Sequence, residues 1–98
     1  MNKYMVIIAF PTPLGQDFFA KIPAHRTHIN RLIQNDIIES YAVSAERAGG
    51  WIIMNARTKE QIHEYLRPSP LYAYFEIDMD ELMVYDSRMY RFPKLMLN

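Results

Sequence analysis

The chain has 98 residues, enough for one domain; half of them are apolar and 13% aromatic, which excludes a disordered polypeptide. Eleven basic residues balance eleven acidic ones, so composition argues against a nucleic-acid or anionic-membrane partner. The absence of cysteine excludes disulfides, thiolate catalysis and cysteine-based zinc or iron–sulfur centres.

In chain order, Tyr4 to Phe10 is rich in β-branched and aromatic residues and stops at Pro11 and Pro13, as a strand does. The run behind Lys3 is short for a signal-peptide core and far short of a membrane span, so a soluble cytoplasmic protein is expected. Phe18, Ile22, His25, Ile29 and Leu32 recur at helical spacing. Pro23 fits the first turn of a helix but not its interior, which predicts a short turn near 15–21 and a helix near 23–35.

Residues 39–46 alternate, with Tyr41, Val43 and Ala45 on one face. Gly49-Gly50 is expected to supply the positive-φ positions of a tight turn into a strand over 51–57. Thr58 and Gln61 have capping-box spacing ahead of a helix carrying Ile62, Tyr65 and Leu66. After the stiff Pro68-Ser69-Pro70 loop, residues 71–79 alternate again and predict the last strand. The order is β-α-β-β-α-β, a ferredoxin-like α+β arrangement with an antiparallel sheet, followed by a further short strand and a tail from about residue 82.

Two helices cover one face of such a sheet, yet the first strand is apolar on both faces, Met5, Ile7 and Ala9 opposing Tyr4, Val6, Ile8 and Phe10. The uncovered face is a mix of aromatic, aliphatic and a few polar groups. A second copy packed sheet to sheet is the expected cover, giving a homodimer or a higher homo-oligomer. The apolar tail (Met83, Tyr85, Met89, Tyr90, Phe92, Leu95, Met96) either packs on its own domain or crosses to the partner.

His25 lies on the apolar stripe, so its imidazole should face the sheet, as a structural histidine or as an acid/base. His25 and His28 are three apart, but a metal would need further ligands, His63 is on another helix and His28 is expected on the solvated flank; no metal is expected. Trp51, Asn55, Arg57, Tyr72, Tyr74 and Glu76 share a predicted direction on the mixed face and are candidate ligand-binding residues, or dimer packing with an Arg57–Glu76 pair. Arg47, beside the glycines, is a further candidate for holding a carboxylate. An RNA-recognition domain has the same element order, but the strand Trp-Ile-Ile-Met-Asn-Ala-Arg lacks its basic aromatic motif.

Ile22-Pro-Ala-His-Arg26 with Leu32-Ile-Gln-Asn-Asp-Ile-Ile38 resembles YCII-like proteins. Arg47-Ala-Gly-Gly-Trp51, Thr58–Leu66 and Ser69–Phe75 resemble the muconolactone isomerase family. Both families belong to the dimeric α/β-barrel group. The resemblance implies a dimer of ferredoxin-like subunits, an acid–base role for His25, and proton transfer without a cofactor. It also places the YCII-like partner aspartate at Ser69, where a serine supplies no charge to stabilise an imidazolium. Two function classes follow. One is a small-molecule isomerase or lyase working by proton transfer on an unsaturated lactone or carboxylic acid, with Arg47, Arg57 or Tyr72 holding an oxygen. The other is a non-catalytic ligand-binding or dimerisation module.

Overall fold

A computed structural model describes residues 1–88. The elements run β1 (Asn2–Ala9), α1 (Gln16–Ala20), α2 (Ile22–Gln34), β2 (Ile38–Val43), β3 (Gly49–Ala56), α3 (Lys59–Leu66), a single 3₁₀ turn (Tyr72–Tyr74) and β4 (Glu76–Glu81). The sheet order is β2-β3-β1-β4 and every pairing is antiparallel, the ferredoxin-like topology expected from the pattern.

Local chemistry sets the boundaries. Pro23 lies in the first turn of α2, where a missing N–H costs nothing. The helix ends in a Schellman arrangement: Asp36 takes φ 61°, its N–H bonds Ile33 O, and Ile37 N–H reaches back to Leu32 O. At α3, Thr58 Oγ1 accepts from Gln61 N–H at 3.1 Å, and Gln61 Oε1 accepts from Arg57 N–H at 2.7 Å.

The core lies between the sheet and the helices. Val6, Ile29, Ile38, Ile52, Met54, Ile62 and Leu66 are its largest fully buried members, each stabilising the fold by roughly 1.5–3 kcal/mol. Ile38 and Tyr41 are three residues apart, yet Ile38 pairs with Met54 and Tyr41 with Ile52, both on the core side. A bulge at Glu39 makes this possible by taking one residue out of the alternation.

Two expectations are corrected. The segment 71–75 is not strand: Tyr72 N–H bonds Ser69 O, Tyr74 N–H bonds Leu71 O, and these local bonds wind it into a 3₁₀ turn, so β4 starts at Glu76. Gly49 and Gly50 have no positive φ and lie inside β3. A Cβ on Gly49 would sit 2.5 Å from Ile8 O, and one on Gly50 closer still to Ala42 O, so these glycines serve close strand approach and the turn falls at 44–48. No further strand follows β4 among the described residues.

Just after β4, Leu82 N–H bonds Lys3 O at 2.8 Å and the Lys3 ammonium lies 5.2 Å from the Tyr85 ring centre. Met83 and Val84 are exposed, while Met89, Tyr90, Phe92, Leu95 and Met96 lie outside the described residues. No described helix is long and apolar enough to cross a membrane.

Candidate functional site

The first turns of α2 carry Ile22, His25 and Arg26 over one end of the sheet, where Phe10 follows β1 and β2 ends in Val43. Between them is a pocket of about 260 Å³, bordered also by Phe18, Tyr41 and Leu71. That is smaller than the usual drug-sized site of about 300 Å³ or more, yet larger than the roughly 150 Å³ cavity that holds benzene. The walls are aliphatic and aromatic side chains, Phe18 tilted against Phe10 with ring centres 5.1 Å apart, with exposed Arg26 at the edge.

His25 is 2% exposed and both of its ring nitrogens are engaged. Nδ1 is 2.7 Å from Ser69 Oγ, Nε2 is 2.9 Å from the Tyr41 hydroxyl, and Phe75 meets the ring edge-on at 5.6 Å. Burial, with the nearby charges of His28 and Arg26, lowers the imidazole from 6.5 to about 4. At neutral pH the ring is therefore uncharged, and it can serve as a base but not as a standing acid. Burial also raises the Tyr41 phenol, so that side chain stays protonated.

His28 departs from the solvated flank expected of it. It is buried, and its Nε2–H donates to Tyr65 O at 2.7 Å, which ties α2 to α3. His63 Nδ1 bonds the Tyr72 hydroxyl at 2.8 Å. The three histidines are thus separately engaged, and no group of metal-binding side chains exists among the described residues.

The remaining candidates do not converge on His25. Tyr72 and Tyr74 sit on the 3₁₀ turn and point to the helices, one bonded to His63 and the other accepting from Lys21 Nζ at 3.1 Å; they leave the sheet face predicted for them because they are not in a strand. Asn55 accepts from Lys3 Nζ at 2.7 Å and donates to Asp36 O at 3.1 Å, so its amide is a brace between strands and a helix end. Arg57 is exposed just past β3, whereas Glu76 pairs with Ala9 at the other end of β1, so within one chain these two do not meet. Arg47 lies 5.3 Å over Trp51, and with Ile7, Ala9 and Gly49 they border a recess of about 340 Å³ on the open sheet face, across the sheet from His25.

Tyr41, Arg26, Phe10 and Phe18 were not singled out from sequence. Tyr41 was within reach of that reading: it faces the same way as Val43 on its strand, and His25 faces the sheet from the stripe above.

Searches of protein-family models and of curated proteins find no match to this chain. Solved structures do share its fold. Muconolactone isomerase aligns with TM-score 0.69 at 17% identity, covering 89% of this chain and 94% of that one. The 5-chloro-2-hydroxyhydroquinone dehydrochlorinase of Burkholderia phenoliruptrix AC1100, solved with 2,5-dihydroxybenzoquinone, aligns with TM-score 0.55 at 13% identity, covering 89% and 97%. The chain has the muconolactone isomerase-like α+β fold.

Proposed function

We propose that this chain binds one small unsaturated lactone or carboxylic acid in the pocket under α2 and, as an isomerase or lyase without a cofactor, moves a proton on it. The observation that carries this reading is the pocket itself: ring-sized, apolar, and bordered by a buried neutral imidazole bonded to a phenol. Arg26 takes the anion-holding role first considered for Arg47, Arg57 and Tyr72, because it borders the pocket and they do not. The two solved structures support the substrate class, since their names specify an isomerase of a lactone and a dehydrochlorinase of a hydroxylated ring.

The working unit of this reading is a homodimer. Met5, Ile7 and Trp51 keep exposed surface on the sheet face that no helix covers, around an already buried Ile53, and a second copy would cover them.

Incubation with small unsaturated lactones in D₂O, followed by NMR, tests the chemistry. The expected result is deuterium uptake beside the carbonyl that disappears in His25→Ala; uptake unchanged in that variant removes His25 from the reaction. Stabilisation by the lactone without exchange favours the second reading, a binding module. That reading draws on one observation: neither ring nitrogen of His25 is free to touch a ligand.

A further inference from the structure

The proton positions around His25 can be read from what each group must satisfy. Ser69 is 4% exposed, and its Oγ has two partners among the described residues: it accepts from Leu71 N–H at 3.1 Å and it meets His25 Nδ1. If Nδ1 carried the ring proton, the serine would accept twice and its own O–H would be buried with no acceptor. The satisfied arrangement has Ser69 O–H donating to Nδ1, which places the ring proton on Nε2. Nε2–H then donates to the Tyr41 oxygen. With its oxygen already accepting, the phenol must send its proton elsewhere, and Tyr41 borders the pocket.

We infer that Ser69, His25 and Tyr41 form a one-way donor chain ending in the Tyr41 hydroxyl, which donates to a carbonyl or enolate oxygen of the pocket's ligand. Tyr41 is the group that touches the ligand, while His25 and Ser69 are positioning residues that fix its direction. The inference rests on the reading of this pocket as a ligand site and narrows the ligand to an oxygen acceptor on a small ring. It also gives Ser69 a role that an aspartate could not fill. A carboxylate accepts from Nδ1–H and sets the opposite tautomer, leaving Nε2 to accept from the tyrosine and turning its proton away from the pocket.

Two measurements test the chain. In ¹⁵N-histidine-labelled protein at neutral pH, His25, assigned against His25→Gln, should show a protonated Nε2 and a bare Nδ1. The opposite tautomer overturns the inference whatever the pocket binds. Binding of 2(5H)-furanone, compared with the oxygen-free ring cyclopentene, reads the donor. Furanone should lose about fivefold to tenfold in affinity in Tyr41→Phe, the equivalent of one net hydrogen bond, while cyclopentene binds both forms alike. Ser69→Ala should weaken furanone with Tyr41 intact. Equal furanone binding by wild type and Tyr41→Phe overturns the donor role but leaves the pocket standing. Failure of both probes to bind wild type removes the pocket as a ligand site, and the inference with it.

Discussion

On the helix side of the sheet, the apolar core is buried around the pocket and the few polar groups are all answered; no buried side-chain nitrogen or oxygen among the described residues lacks a partner. On the open side, Met5, Ile7, Trp51 and Ile53 form an apolar centre, flanked by Glu76, Asp78 and Asp80 on β4 and closed at one end by Lys3, Glu39 and Asn55. The first side is finished within one chain and holds the candidate chemistry. The second keeps its charges to the margins, as an association surface does. Stability and proposed function should therefore respond to one side, and assembly to the other.

Paired truncations give the sharpest contrast. Leu66→Ala empties a fully buried site and should cost about 2–5 kcal/mol in urea unfolding. Ile7→Ala, at a position 38% exposed, should cost less than about 1 kcal/mol in dilute protein but weaken self-association measured by sedimentation. Equal costs at all concentrations would erase the distinction between the two faces.

Acid sharpens it next. The His25 imidazole is lowered in the fold, so the unfolded chain takes up its proton first and stability falls as pH drops from about 6.5 towards 4, levelling off below that value. The loss attributable to this group is on the order of 3 kcal/mol. Denaturation midpoints at pH 7 and pH 4 should show a drop in wild type that His25→Gln lacks; parallel drops would mean that other groups carry the acid sensitivity.

The smallest effect belongs to the open-face clamp. Lys3 bonds Glu39 at 2.6 Å with both side chains about one-fifth exposed, so Lys3→Ala should cost about 1 kcal/mol or less. It should leave the His25 ¹⁵N signals unmoved, and a shift there would show that the two sides communicate.

Much of this architecture can be read from periodicity. Residues 4–10 are apolar without a break because the strand they form is apolar on both faces. The four-three spacing through His25 puts that ring against the sheet, and the observed α2 lies within one residue of its predicted ends. Two features are hidden because tertiary bonds decide them. Leu71 to Phe75 has a strand's alternation, but Ser69 caps the segment through both its hydroxyl and its carbonyl and winds it into a 3₁₀ turn. The Gly49-Gly50 pair resembles a turn signal, yet it is required where carbonyls of two neighbouring strands crowd β3. The candidate site was half legible. His25 stood out by its place on the stripe and the resemblance set Ser69 against it, while Tyr41 belongs to a strand whose bulge leaves no mark in composition.

That bulge gives the molecule a tolerance for changes in length. Removing Glu39 would leave Ser40, Tyr41 and Val43 opposite the same β3 partners and forfeit only the Lys3 contact. Removing Ser40 is equivalent in register, with Glu39 taking its place opposite Ile53, whereas removing Tyr41 takes the phenol itself out of the site. Loss of one residue is thus absorbed at the bulge and silencing at Tyr41, so the chain can shorten there without reaching the pocket.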